Sequence, residues 1–223
     1  MSDLGLTFER ATGHRLMISF DSGGVILRRL GSGESADVVM LPQSGIDRLA
    51  AEGKVVAGST TDLATSRVGV AVRKDGPKPD ISTPEAFKRA MLGAKAIACP
   101  DPALGGSSGV HIVKVFERLN ITEALKSKLM FASAPGQAET MPGHMVAIGK
   151  AEIALHQMQE LMAVPGIEIV GPLPGDLQET FVFSAAIVAG AKEADAAKAL
   201  VDFLRTPEAR AVIKAKGMEP ATP

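Results

Sequence analysis

The chain has 223 residues, 46% of them hydrophobic and 22% charged, and a formal net charge of −1. This balance suits a globular protein with a full core and argues against a nucleic-acid or membrane-surface binder. Trp and Tyr are absent and Cys99 is the single cysteine, which removes aromatic stacking platforms, an internal disulfide and a cysteine-rich metal site.

In chain order, Leu4 to Ala11 reads as a helix with Thr12-Gly13-His14 as its exit. Leu16-Met-Ile-Ser-Phe20 reads as a strand, and Asp21-Ser22-Gly23-Gly24 opens a helix over Val25 to Leu30. Asp37 to Leu41 is a short strand ended by Pro42, and Ser44 to Glu52 a helix closed by Gly53. Val68 to Arg73 is the next strand, followed by the linker-like Lys74 to Asp80. Thr83-Pro84-Glu85 carries an N-cap threonine, a proline at the first helical position and an early acid, so a helix starts there.

Ala94 to Cys99 is a short apolar run that reads as a buried strand. The loop Gly105-Gly106-Ser107-Ser108-Gly109 follows it and feeds a helix in which Ile112, Val115, Phe116 and Leu119 recur at helical spacing. A helix N-terminus offers unpaired backbone N–H groups and the positive end of the dipole, and serine hydroxyls add donors. The same residue types also cap helices for purely structural reasons. The Asp21-Ser22-Gly23-Gly24 loop is a second strand–loop–helix unit of the same kind, and the doubling favours anion binding over capping. Further on, Leu129 to Ala132, Glu152 to Gln157, Glu168 to Gly171 and Thr180 to Val188 read as strands. Two amphipathic helices, Glu193 to Leu204 and Pro207 to Lys216, end the chain. Strands alternating with helices predict an α/β protein with mostly parallel sheets, whose ligands lie beyond the carboxyl ends of the strands.

Candidate ligand contacts are Ser22, Gly23 and Gly24 from the first loop and Ser107, Ser108 and Gly109 from the second, with Gln137 and Gln157 flanking. Candidate acid–base groups are Asp21, His111 and His156, because histidine titrates near neutrality and a carboxylate can abstract a proton. Each has a structural alternative: Asp21 as a helix cap, His111 as an exposed first-turn residue. Cys99, at the end of an apolar strand, reads as a packed thiol. His14, His111, His144 and His156 fall in no paired motif, so no metal and no cofactor is expected. Met1-Ser-Asp-Leu-Gly-Leu lacks the basic and apolar regions of a signal peptide. The chain as written is therefore expected in the cytoplasm, or in the periplasm if its N-terminus is truncated.

The stretch Ser19 to Val39, with Asp21-Ser22-Gly23-Gly24 and Ala36-Asp37-Val38-Val39, resembles the binding loop and following strand of periplasmic molybdate-binding proteins. Phe116-Glu-Arg-Leu119, Gly149-Lys-Ala-Glu152 and Phe203-Leu-Arg-Thr-Pro-Glu-Ala-Arg210 extend the similarity over nearly the whole chain. The resemblance implies the type II periplasmic-binding-protein fold: two α/β lobes, residues 1–66 with 188–223 and residues 67–187, joined by two crossover segments around a ligand cleft. It also implies that a first strand is missing before the opening helix, and that Ser2 stands where the family has an oxyanion-binding serine. The family's tyrosine at a strand end is replaced near Leu155-His156-Gln157, and Asp21 would repel a dianion. The pocket thus looks retuned, and resembles more closely a branch that includes aconitate-isomerase-like enzymes. Two functions remain open. One is a solute-binding protein that captures a small anion, an organic carboxylate or an oxyanion such as molybdate, with an ABC transporter permease as partner. The other is a cofactor-independent isomerase that moves a proton within a small polycarboxylate.

Overall fold

The computed structural model describes residues 2–132 and 140–222, with the side chains of Ser2 and Asp3 left out of the description. The chain forms two compact units, Met1–Thr65 with Phe181–Pro223, and Ser66–Thr180. It passes from the first to the second within one strand and returns within another.

In the first unit, α1 (Ser2–Thr12) is followed by α2 (Gly23–Gly31), β1 (Val38–Pro42) and α3 (Gln43–Ala51), then the start of β2 (Thr61–Arg73). The chain comes back along β7 (Thr180–Ile187) and closes with α9 (Ala194–Leu204), α10 (Pro207–Ala215) and β8 (Glu219–Pro220). β7 runs antiparallel to β1, with Val38 opposite Ile187 and Pro42 opposite Phe183, and β8 pairs with Ala64 and Thr65 of β2. The two-residue alternation of β1 gives each face of the sheet its own core. Val39 and Leu41 pack with Leu30, Ile46 and Leu49 on one side. Val38 and Met40 pack against Leu4, Phe8, Leu200 and Leu204 on the other.

The second unit takes up the rest of β2 and continues with α4 (Pro84–Gly93), β3 (Ile97–Pro100), α5 (Ser107–Arg118), α6 (Thr122–Leu125) and β4 (Leu129–Ala132). Then come α7 (Pro142–Ala147), β5 (Ile153–Gln157), α8 (Met158–Met162) and β6 (Ile167–Pro172). β3 lies parallel to both β4 and β5, whereas β2 is antiparallel to β5 and β6. One face buries Ala71, Ala98, Ala154, Met145, Val146 and Leu161 together. Small residues on the strands let α7 and its bulkier side chains come close. α5 packs on β3 and β5, and its apolar stripe of Ile112, Val115 and Phe116 is buried, as helical spacing predicts. Thr83 caps α4 by accepting the Ala86 N–H at 3.1 Å.

Four sequence expectations differ from the structure. Leu16 to Phe20 is not a strand: only Leu16 turns into the core, its N–H donating to Glu9 Oε1 at 2.7 Å, while Met17 is fully exposed and Phe20 66% exposed. Its apolar residues have no strand beside them among the described residues, so β propensity has nothing to pair with. β2 starts at Thr61, seven residues before the expected Val68, because polar residues there alternate with half-buried ones on a partly solvated strand. The second passage between units falls at Thr180/Phe181, not near Val188, because β7 from Phe183 onward is paired residue for residue with β1. Finally, the sheet is mixed instead of mostly parallel: β3 pairs in parallel with β4 and β5, whereas β2 runs antiparallel to β5, β6 and β8, and β7 antiparallel to β1.

Candidate functional site

In the second unit the chain leaves β3 at Pro100 and makes a short 3₁₀ turn, Pro102–Leu104, capped by Asp101, whose Oδ1 accepts the Ala103 N–H at 2.8 Å. Gly105 follows at φ +71°, a left-handed conformation that glycine takes without a steric cost. α5 then begins with Gly106 as its N-cap and no side-chain cap. The serines of this loop are therefore not used as caps. Ser107 and Ser108 lie in the first helical turn, where N–H groups have no intrahelical acceptor. Ser108 is 5% exposed. Gly109 is dictated by close approach, since a Cβ there would stand 2.8 Å from the Pro100 carbonyl oxygen.

Because β5 is parallel to β3, the two strands bring their carboxyl ends to the same end of the sheet. Gln157, the last residue of β5, is 7% exposed and donates from Nε2 to Ser107 Oγ at 3.4 Å. Its Oε1 accepts from Gln159 Nε2 at 2.5 Å, and Gln159 Oε1 in turn accepts from the hydroxyl of Ser66, itself 2% exposed. Sequence reasoning singled out Gln157 and the serines but not Ser66 or Gln159. The available signal for Gln159 was the cluster of polar residues His156, Gln157 and Gln159 directly after an apolar strand; Ser66 carried none.

His156 accepts the Gln157 N–H at Nδ1, 2.7 Å away. Burial pushes its pKa down to about 4, so the ring is neutral at pH 7 and carries its proton on Nε2. His111, on α5, bridges to the segment before β7. Its Nε2 donates to the Leu177 carbonyl at 2.9 Å, and Nδ1 lies 2.8 Å from Glu179 Oε2. Two turns along the same helix face, Arg118 binds both the carbonyl and the carboxylate of Asp176. α5 thus holds the segment that leads into β7. Burial raises the Cys99 thiol to about 12, which leaves it protonated and unreactive.

In the first unit, Ser22 is the N-cap of α2, with Gly23 and Gly24 in its first turn. Asp21 precedes the cap instead of forming it: Oδ1 accepts the Ser22 N–H at 2.8 Å and Oδ2 faces Arg29 Nη1 at 3.8 Å. Ser2 opens α1 and its side chain is outside the description; Gln137 lies outside the described residues. A cavity of about 460 Å³ in the second unit is lined by Arg73, Pro77, Gly149, Glu152 and Ile153, at the end of β2 and β5 away from Ser107, and includes none of the residues above. Among the described residues no helix is long and apolar enough to cross a membrane.

Two α/β units with the chain crossing twice, and a serine-glycine helix start beyond the end of β3, define the class: this is the α/β periplasmic-binding-protein fold. It superposes over its full length on the periplasmic molybdate-binding protein of Azotobacter vinelandii, with a TM-score of 0.79 at 23% identity and 94% of that chain covered. Residues 1–219 match the model of the bacterial extracellular solute-binding protein family, and the chain belongs to that family. It is 36% identical to an aconitate isomerase from Pseudomonas sp over 219 residues, covering 96% of this chain and 80% of the relative. It is 33% identical over 224 residues to the molybdate-binding protein ModA of Azotobacter vinelandii, covering 97% and 84%.

Proposed function

We propose that this protein captures a small anion, an organic polycarboxylate or an oxyanion such as molybdate, and that the N-terminal turn of α5 receives it. The observation that carries this reading is the start of α5, where Gly106 holds the cap position without a side chain, so the hydroxyls of Ser107 and Ser108 and the first-turn N–H groups are not used in capping the helix. Backbone N–H groups of Ser107, Ser108 and Gly109 would share the negative charge, as anions at helix N-termini do. Ser22, Gly23 and Gly24 at the start of α2 form a second set of the same type. Membership of a solute-binding family supports the reading, together with a periplasmic placement and an ABC transporter permease as partner.

A second reading, isomerisation of a polycarboxylate by proton transfer, is favoured by the 36% identity to an aconitate isomerase. In it His156 would contribute as a neutral Nε2–H donor to developing enolate-like charge, since its Nδ1 is already occupied. A thermal-shift panel of oxyanions and di- and tricarboxylates tests the first reading, because a ligand that binds the folded state raises Tm by mass action. No shift with any anion would overturn it. Proton NMR of cis- and trans-aconitate incubated with the protein in deuterated water tests the second. Interconversion or deuterium uptake that disappears in His156→Gln is the expected result for an isomerase, and binding with no exchange over a day overturns it.

A further inference from the structure

The hydrogen bonds behind Ser107 run in one direction. Ser66 donates to Gln159 Oε1, Gln159 Nε2 to Gln157 Oε1, and Gln157 Nε2 to Ser107 Oγ. Turning both amides over would reverse every bond, so the geometry of the heavy atoms is compatible with either direction. Ser66 decides between them. It is 2% exposed and its hydroxyl has no partner other than Gln159 among the described residues. In the reversed chain Ser66 would accept, and its own O–H would be buried without an acceptor. In the forward chain the unused O–H is that of Ser107, which is only half-buried and can meet solvent or a ligand, so the penalty is smaller. The forward direction is therefore the stable one.

Its consequence reaches the helix start. Ser107 Oγ accepts from Gln157, so its proton is left to point elsewhere, and a serine that accepts on one side can act toward a ligand as a donor. Aligned hydrogen bonds polarise one another, which strengthens the last donor in the row. We propose that Ser66 and Gln159 are positioning residues that hold Ser107 as a hydrogen-bond donor, so that the site selects fully ionised anions and discriminates against their protonated forms. This inference rests on the reading of α5 as the anion site. It concerns residues that would not touch the ligand: Ser66 acts through two glutamines, from the strand by which the chain enters the second unit.

The test is isothermal titration with trans-aconitate and with molybdate, using the parent, Ser66→Ala, Ser66→Thr, Gln159→Leu, Ser107→Ala and Ser108→Ala proteins, at pH 7 and at lower pH. Ser66→Ala and Gln159→Leu are expected to weaken binding roughly three- to tenfold, and Ser66→Thr to restore it. The affinity of the parent falls as trans-aconitate takes up protons. In Ser66→Ala the fall is shallower, because the glutamines can turn over and let Ser107 accept. A purely structural role for Ser66 would change Tm without changing that pH profile. If Ser107→Ala and Ser108→Ala bind weakly but Ser66→Ala and Gln159→Leu bind like the parent with the parent's pH profile, the inference is wrong and the site stands. If the serine variants also bind like the parent, or the parent binds neither probe, the site itself is wrong and the inference goes with it.

Discussion

His156 and Gln157 are bound to one another in a way that fixes both: the backbone N–H of Gln157 donates to Nδ1 of His156 at 2.7 Å. The bond leaves Nε2 as the protonated nitrogen and keeps the imidazole from acting as a base through Nδ1. With the ring buried and its pKa pushed down to about 4, the histidine is a neutral polar group over the whole physiological range.

This state has a consequence for stability. Between the unfolded histidine pKa of about 6.5 and the folded value of about 4, the unfolded chain binds a proton that the folded chain does not, so stability falls as pH is lowered through that window. The full effect approaches about 3 kcal/mol at pH 4. Urea unfolding from pH 8 to pH 4 is expected to show this slope in the parent and a flatter profile in His156→Gln. Equal slopes would show that the ring protonates freely in the folded protein.

Ser108→Ala removes a hydroxyl that bonds no described residue, so the stability of the folded protein should change by less than about 0.5 kcal/mol. Binding of an anion at the start of α5 should weaken by about 1–2 kcal/mol, the scale of a hydrogen bond to a charged group. Calorimetric titration with molybdate and trans-aconitate reads the loss, and thermal melting of the unliganded variant checks that the fold is intact.

Gly109→Ala places a methyl 2.8 Å from the Pro100 carbonyl oxygen and 3.3 Å from the Asp101 carbonyl carbon. Those are backbone atoms that cannot swing aside, so the helix start must move off β3. A loss of about 1–3 kcal/mol in stability is expected, together with a loss of anion affinity, measured by melting and titration of the same sample.

His111→Gln breaks the link between α5 and the Leu177–Glu179 segment. Stability should fall by about 1–2 kcal/mol, while molybdate affinity stays within about twofold of the parent, a change below about 0.5 kcal/mol. A large loss of affinity with unchanged Tm would instead place His111 in contact with the ligand.

Cys99 should react with a thiol reagent at pH 8 only after denaturation, because burial holds the thiol protonated well above that pH. Rapid labelling of the native protein would contradict the buried position.

The α/β class, most helix positions and the two serine-glycine helix starts were legible in the sequence, because they rest on local signals. Thr83-Pro84-Glu85 starts a helix through its own cap, and the 3.6-residue spacing of Ile112, Val115, Phe116 and Leu119 needs only one buried face. Leu16 to Phe20 shows the limit of such signals: apolar, β-prone residues form no strand when none lies beside them. The chemistry of the site depended on pairings across the fold. Nothing local tells whether Ser107 caps α5; the structure gives the cap position to Gly106 and brings Gln157 from β5 to donate to the Ser107 hydroxyl. His111 is a first-turn residue in the sequence and a pin for the Leu177–Glu179 segment in the structure, across a separation of 66 residues from Leu177. Side-chain periodicity states which face of an element is buried, but the partner of a buried polar group comes from whichever distant strand the tertiary fold lays beside it.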